Sequence, residues 1–577
     1  MPNWSRLSRD GYAAKLESFL PLLSPLVWTS QETGVGPDIH RVLDFQEVDS
    51  KTGLLVPVSE ASRKVPAVWN IASSRGRRVG VVGFWATHPA EKVSGFFLSD
   101  RIDPHGAGPA SSGIGYPETL DETVRRVAAR EGNIGMEDLA PYFPVTESEV
   151  RALPASPSFE NPVSALSALL TTTRITQRLA RELYDSERPD LLAVYFKGTD
   201  EVGHLFAPYA PPRLACTDPA GYERFHRVPE TYFGMIDAIL GQWMRRARED
   251  GAILLITSDH GFRWGADRPC GRASTEEATA AAWHRTEGVL LAWGDGIGPA
   301  SPTARASAFD VAPTLLAIMD LPADREMRGS VVPVLPGLSV KKQPGVFAKI
   351  AVETVASAEV DREQAAEYTK KLVALGYISP RDAEASKTAS RTSAGLTKGA
   401  WNNLGIYRRF SLHDLAGARA AWEESLKLDP GYRSPLFNLA TLERDRGKFE
   451  ESTRWLLRAL AAGHPEPEAT VERWAGEFER RGGAGLALLQ AVHAAYPQSE
   501  SYARNYALLL ARRKRCREAF DVIAPLESSN QPETLNIAGV VEACLDRPDR
   551  VRTLFIRSLE LDPNQPRVRE ALAALPR

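Results

Sequence analysis

The stretch that most restricts the fold is Leu191-Leu-Ala-Val-Tyr-Phe-Lys-Gly-Thr-Asp200-Glu-Val-Gly-His204, an apolar run that stops abruptly at a carboxylate and then an imidazole. The run is mostly β-favouring and is closed by Lys-Gly. It predicts a buried strand delivering Asp200 and His204 to its C-terminal edge, where open α/β sheets bind ligands. The pattern recurs, since Ala252-Ile-Leu-Leu-Ile-Thr-Ser258 is a second such strand and ends on Asp259-His260-Gly261. Apolar residues at helical spacing over 162–186 and a second helix around Tyr232 to Arg248 precede these two strands. Strand alternating with helix implies an α/β domain with a mainly parallel sheet.

Neutral imidazole and carboxylate together form the ligand set of Zn²⁺ and similar divalent ions, and ligands at strand ends converge without being close in sequence. Asp before Gly is also ordinary turn chemistry, but two strand-end pairs support each other as a two-metal phosphoryl-transfer site. His284, in a loop before the strand Val289–Trp293, fits as a further ligand. A lone His beside Trp is more often simply packed; its place in the α/β series argues otherwise.

Upstream, Ser24-Pro25 through Thr33-Gly34 predicts a short helix with Ser24 as N-cap, Pro25 at the first helical position and Gly34 as the stop. A hydroxyl at the positive helix end suits an alkoxide and a phosphate alike, which makes Ser24 the candidate nucleophile. Capping alone is the commoner fate of such a serine. The series continues with a helix near Val65–Ile71, a strand over Arg78–Trp85 and a loop through His88. Residues 100–160 are loop-rich with surface helices at Leu120–Glu131 and Thr146–Leu153, and predict an insertion over the sheet edge. Ser307 to Met319 predicts a capped helix closing the domain. Trp69, Phe84 and Trp85 stand near strands, where aromatic side chains are more often core than ligand platform.

These features place an α/β domain at residues 1–375. Residues 376–398, rich in Ser, Thr, Ala, Lys and Arg, predict a linker. Beyond it the period changes: Ser425-Leu426 and Ala459-Leu460 are 34 residues apart, and Ser425-Leu-Lys-Leu-Asp-Pro430 recurs as Ser558-Leu-Glu-Leu-Asp-Pro563. Helix pairs at this spacing predict an all-α tetratricopeptide solenoid over 399–577, degenerate at 469–497 and 502–528. A solenoid leaves a concave surface for a protein or peptide partner; a domain that only stabilises or dimerises the enzyme part is the plainer alternative.

Composition excludes little. A net charge of −3 with interspersed signs gives no field favouring nucleic acid. No apolar run reaches the length of a transmembrane helix, and the first ten residues lack a signal-peptide core, so the sequence as written predicts a cytoplasmic chain. Cys216, Cys270, Cys516 and Cys544 are widely spaced and predict reduced, structural thiols.

Taken together, Ser24-Pro-Leu-Val-Trp-Thr-Ser with Thr33-Gly34, Asp200-Glu-Val-Gly-His204, Ser258-Asp259-His260-Gly261, Trp283-His284-Arg285 and Asp310-Val-Ala-Pro-Thr314 resemble the alkaline phosphatase superfamily, and within it the type I phosphodiesterase/nucleotide pyrophosphatase group, over about residues 1–335. The resemblance implies an alkaline-phosphatase-like three-layer domain. It implies that Asp200, His204 and His284 hold one metal, and that Asp259, His260 and the Ser24 oxygen hold the other, the ions usually being zinc, with manganese the alternative. It implies that Ser24 attacks the phosphorus of a phosphodiester, nucleotide pyrophosphate or phosphomonoester, and that water releases the phospho-enzyme. Tetratricopeptide tails also occur in such proteins. The family's leading strand ending Asp-Gly, whose Asp shares a metal with Asp259 and His260, has no counterpart in this sequence. The resemblance therefore implies either a chain that extends upstream, with localisation left open, or an incomplete second metal site and a catalytically impaired scaffold. Ser24-Pro25-Leu26-Val27-Trp28 lacks the x-Pro-x-Arg signature of sulfatases. A cofactor-independent mutase would carry a large inserted domain after its serine.

Overall fold

The computed structural model describes residues 1–49, 51, 53, 55–102, 112–154, 158–270, 280–356, 362–378, 380, 383 and 395–576. The expected linker at 376–398 falls largely outside these residues, as do two parts of the expected insertion, 103–111 and 155–157. The chain divides into two compact units, Met1–Asp414 and Leu415–Arg577.

In the first unit, α1 (Pro2–Asp10) leads into β1 (Tyr12–Glu17), and α2 (Ser24–Thr33) follows. Next come α3 (Val68–Ser74), β2 (Val79–Val82), β3 (Gly95–Leu98), β4 (Gly115–Tyr116) and α4 (Leu120–Glu131). Then α5 (Pro162–Glu187), β5 (Leu191–Val194), α6 (Gly198–Phe206), α7 (Val228–Glu249) and β6 (Leu254–Thr257) carry the two Asp-His motifs. β7 (Glu287–Trp293), β8 (Arg305–Ser307), α8 (Val311–Ile318), α9 (Arg362–Ala374) and α10 (Lys398–Phe410) complete the unit. The helices predicted from apolar spacing are present, because a stripe of Leu, Ile and Val at helical period has to be buried against a sheet.

The strands form two four-stranded mixed sheets, ordered β4-β3-β2-β5 and β8-β1-β7-β6. In the first, β2 pairs in parallel with both β3 and β5, the arrangement a crossover helix permits. In the second, β7 runs antiparallel to both β1 and β6, and β8 is parallel to β1. The two strands preceding the Asp-His motifs therefore stand at the edges of different sheets. Their positions show in burial: all four residues of β2 are buried, whereas those of β5 and β6 are all half-buried.

Packing around β2 sets the core. Val79 and Val81 face a cluster with Trp69, Ile71, Phe97 and Leu316, while Val82 faces Ile175, Leu179 and Val127 from α5 and α4. Trp69 and Phe84 are core residues, as aromatic side chains beside strands usually are. Beneath α3, the buried pair Arg63–Glu91 (2.7 Å) extends into a network in which Glu91 also accepts from Trp69 Nε1 (3.0 Å) and Asn70 Nδ2 (2.6 Å).

The cysteines correct the sequence reading. Cys216 pairs with Cys270 and Cys516 with Cys544, at Cα separations of 5.9 and 5.5 Å. Separations of 54 and 28 residues gave no Cys-x-x-Cys signal, but the fold brings both pairs within bridging distance. Among the described residues, no helix is long and apolar enough to cross a membrane.

The second unit is a succession of helical hairpins. Its helices α11 (Leu415–Leu428), α12 (Arg433–Asp445), α13 (Phe449–Ala461), α14 (Pro467–Gly482) and α15 (Gly485–Ala495) are followed by α16 (Glu500–Arg512), α17 (Cys516–Ile523), α18 (Pro532–Cys544), α19 (Pro548–Leu561) and α20 (Pro566–Ala573). The helices starting at residues 433, 467, 500, 532 and 566 recur every 32 to 34 residues. The stretches that look degenerate in sequence form regular hairpins, because Trp474, Phe478, Leu488, Val492, Tyr502 and Leu510 supply the buried faces without the consensus letters.

Candidate metal and phosphoester site

Asp200 and His204 do not stand on the strand itself. β5 ends at Val194, and both residues lie on α6, four positions apart and hence on one face, with His204 Nε2 3.4 Å from Asp200 Oδ1. Two glycines let this helix seat closely. A Cβ on Gly198 would collide with the Tyr232 hydroxyl, and one on Gly203 would stand 2.7 Å from the Phe262 ring. Asp259 and His260 follow β6 directly. The short pairing of Gly261–Phe262 with His284–Arg285, in which His284 opposes Phe262, brings His284 beside His260 with stacked rings 3.7 Å apart.

These side chains converge. Ligand atoms of Asp200, His260 and His284 all lie within 4.8 Å of one another. His260 Nε2 is 3.3 Å from Asp259 Oδ2, and His284 Nε2 is 3.4 Å from Asp200 Oδ1. Residues of the two expected ligand sets thus share one cluster.

Backbone carbonyls fix the ring orientations. His284 Nδ1 donates to Leu22 O (3.1 Å) and His260 Nδ1 to Gly261 O (3.1 Å), so each ring turns an Nε2 lone pair into the cluster. His204 Nε2 stands 2.9 Å from His284 Nε2, a separation that two lone pairs tolerate only with a proton or a cation between them. Asp200 Oδ1, Asp259 Oδ2 and His260 Nε2 are buried with no hydrogen-bond partner. Such atoms are costly unless something else satisfies them. Three imidazoles and two carboxylates turned inward are a donor set that fits a divalent cation such as zinc. Burial pushes the Asp200 carboxyl up, but the His204 and His284 imidazoles outweigh it and hold the group well below the usual carboxylate range.

Ser24 is the first residue of α2, with Leu23 as an extended N-cap, one position earlier than expected. Its hydroxyl makes no capping bond, and Gly34 closes the helix in the left-handed conformation as predicted. Ser24 is 2% exposed and lines one cavity with Asp200, Lys197, Glu201, Lys371 and Tyr377. Two links tie α2 to the cluster: Gln31 Nε2 donates to Ser258 O (3.0 Å), and Leu22 O accepts from His284.

Several of these neighbours escaped sequence reasoning. The Tyr377 hydroxyl donates to Asp200 Oδ2, and its ring packs edge-on to His204. Burial, then the Asp200 charge, raises its phenol well above the usual range. No spacing connects Tyr377 with Asp200, 177 residues away. Lys197 and Glu201 stood inside the motif itself, but their side-chain direction needs the helix that follows β5. Trp85 also lines the cavity, where it packs edge-on to Phe45 and donates to the Tyr195 hydroxyl at 3.1 Å.

The family profile described as "Type I phosphodiesterase / nucleotide pyrophosphatase" matches residues 1–313. The chain belongs to this family. Its fold is alkaline-phosphatase-like, followed by tetratricopeptide-like helical repeats. Among solved structures it is similar to wild-type alkaline phosphatase PafA, at 13% identity and a TM-score of 0.38, covering 58% of this chain and 94% of that one. It is also similar to YrrB, a "TPR protein with an unusual peptide-binding site", at 15% identity and a TM-score of 0.21 over 30% of this chain and 90% of that one. A third is the thermophilic TPR protein TTC0263 of Thermus thermophilus, at 17% identity and a TM-score of 0.19 over 31% of this chain and 98% of that one. No curated protein sequence matches the chain.

Proposed function

We propose that this member of the family is a metal-dependent phosphoester hydrolase acting through a covalent phospho-Ser24 intermediate. The observation that carries the reading is the cluster of Asp200, His260 and His284 ligand atoms, beside which Asp259 Oδ2 is partnerless like Asp200 Oδ1 and His260 Nε2, with Asp200 lining one cavity with Ser24. Asp200, His204, Asp259, His260 and His284, with the Ser24 oxygen, would hold divalent ions, two of them and zinc or manganese on the family resemblance. Bound ions would stabilise charge on the phosphoryl oxygens and favour the serine alkoxide.

The chain's own residues do the rest. The carbonyls of Leu22 and Gly261 keep the imidazoles in one tautomer, and Tyr377 holds one Asp200 oxygen so that the other faces the cluster. Ser24 Oγ, at the positive end of α2, displaces the leaving oxygen from phosphorus, and water then cleaves the phospho-serine, releasing phosphate from a monoester or a phosphomonoester from a diester. We further propose that 1–375 is the phosphoesterase domain and that the repeat domain, 399–577, binds a protein or peptide partner, an assignment that rests on the helical-hairpin architecture.

The test is hydrolysis by protein saturated with zinc or manganese, using a phosphomonoester and a phosphodiester, against Ser24→Ala. Turnover by the wild-type chain with a loss of at least about a thousandfold in the variant supports the reading. If the wild-type chain does not exceed the variant on either substrate, it is a scaffold that keeps the hydrolase fold.

A further inference from the structure

α9 and the turn after it reach three parts of the candidate site. The Tyr377 hydroxyl donates to Asp200 Oδ2, and the ring packs edge-on to His204 with centroids 5.2 Å apart. One residue earlier, Gly376 O accepts from Ala280 N (3.1 Å), at the head of the short helical turn Ala280–Trp283 that runs into His284. Behind the turn, Tyr368 and Leu372 cluster with Phe45, and Leu23, the N-cap of the Ser24 helix, packs on the same cluster. This segment lies outside residues 1–313 that match the family profile. Within the site, Asp200 Oδ1 is ringed by imidazoles: Nε2 of His204 and of His284 are each 3.4 Å away, and that of His260 is 3.8 Å away. Oδ1 has no hydrogen-bond partner, whereas Oδ2 takes the phenol. A carboxylate turns readily about its last bond, so the phenol selects which oxygen faces the imidazoles and spares the other an unsatisfied burial. Burying a tyrosine hydroxyl on this wall does not by itself demand such a partner. The Tyr368 hydroxyl, which lines the same cavity, has none among the described residues.

We propose that Tyr377 is a positioning residue of the metal cluster: its hydroxyl keeps Asp200 Oδ1 turned to the imidazoles, and so makes the zinc affinity of the site depend on the docking of α9 and its turn. The inference rests on the reading of Asp200, His204 and His284 as metal ligands. It goes beyond that reading by assigning part of the affinity to a segment that carries no ligand. Groups that orient a ligand contribute a factor of about tenfold to a hundredfold in metal affinity. Linkage is reciprocal, so a cation held by Asp200 stabilises the docked turn by the same factor by which the docked turn favours the cation. The amides of Leu375, Gly376 and Tyr377 report that docking, since they donate to Lys371 O, Val373 O and Leu372 O at 3.0, 2.9 and 2.9 Å.

The experiment titrates the metal-free full chain, Tyr377→Phe and Tyr368→Phe with zinc against a chelating dye, each checked for folding by circular dichroism. Tyr377→Phe keeps the ring and loses the bond to Asp200, and is expected to weaken zinc binding by at least about tenfold. Tyr368→Phe is expected to leave it unchanged. Residue-resolved hydrogen exchange on the wild-type chain, with and without zinc, is the second measurement and depends on no variant. Exchange at Leu375, Gly376 and Tyr377 is expected to slow by at least about tenfold when zinc is added, and by less in Tyr377→Phe. If Tyr377→Phe binds zinc as tightly as the wild-type chain, if both variants weaken it equally, or if zinc leaves the three amides unchanged, the positioning role is overturned while the metal site stands. If the wild-type chain binds neither zinc nor manganese, the metal reading fails and the positioning role with it.

Discussion

Both carboxyl oxygens of Glu32, on α2 below Ser24, are buried without a hydrogen-bond partner. Burial raises the group to about 8, with Arg63 opposing and Glu91 and Asp100 adding to the rise. The folded state therefore holds a proton that the unfolded state releases near the ordinary value of 4.5. The associated stability is fully present below that value and is lost as pH rises through about 8, on the order of 5 kcal/mol in all. Glu32→Gln removes the titration. Urea unfolding at pH 5 and pH 8.5 is expected to show a smaller drop in the variant than in the wild-type chain. At this same scale, Ser24, Asp200, His204, Asp259, His260 and His284 stand out as candidates in the sequence because each falls where a predicted element starts or stops. Tyr377 and Lys371 do not. They reach the site from α9 and the turn after it, and nothing in their local sequence encodes a contact made across the fold.

Among elements, the helices and strands of the first unit were readable from period, and α5 shows why: fifteen of its residues are buried, so the apolar spacing is dense. What period does not carry is which strand pairs with which. β5 and β6 read as buried strands, yet among the described residues each pairs on one side only. Every second amide of β5 and β6 points to that unpaired side, so hydrogen exchange is expected to be fast at these positions and slow throughout β2, as residue-resolved exchange would reveal. The network under α3 has the opposite character. Glu91→Ala leaves Arg63 buried and unpaired and takes an acceptor from Trp69 and Asn70, with an expected loss of about 3–5 kcal/mol in chemical denaturation.

On the scale of the molecule, the two-part plan was visible as a change of hydrophobic period, while the place where compactness changes was not. α10 lies in the first unit, where Tyr407, with no exposed surface, packs edge-on to Phe19 and accepts from Arg328, and Asn403 donates to Leu43 O at 2.9 Å. A chain ending at 414 is expected to be more stable than one ending at 398 by at least about 3 kcal/mol, as removal of a buried aromatic residue implies; paired urea titrations check this. The disulfides give each unit one cross-link. For loops of 54 and 28 residues the chain-entropy account assigns each about 4 kcal/mol. Both units therefore carry a term in their folding free energy that depends on the supply of electrons around them. Where thiol–disulfide exchange runs towards reduction, the α/β unit and the repeats lose stability together.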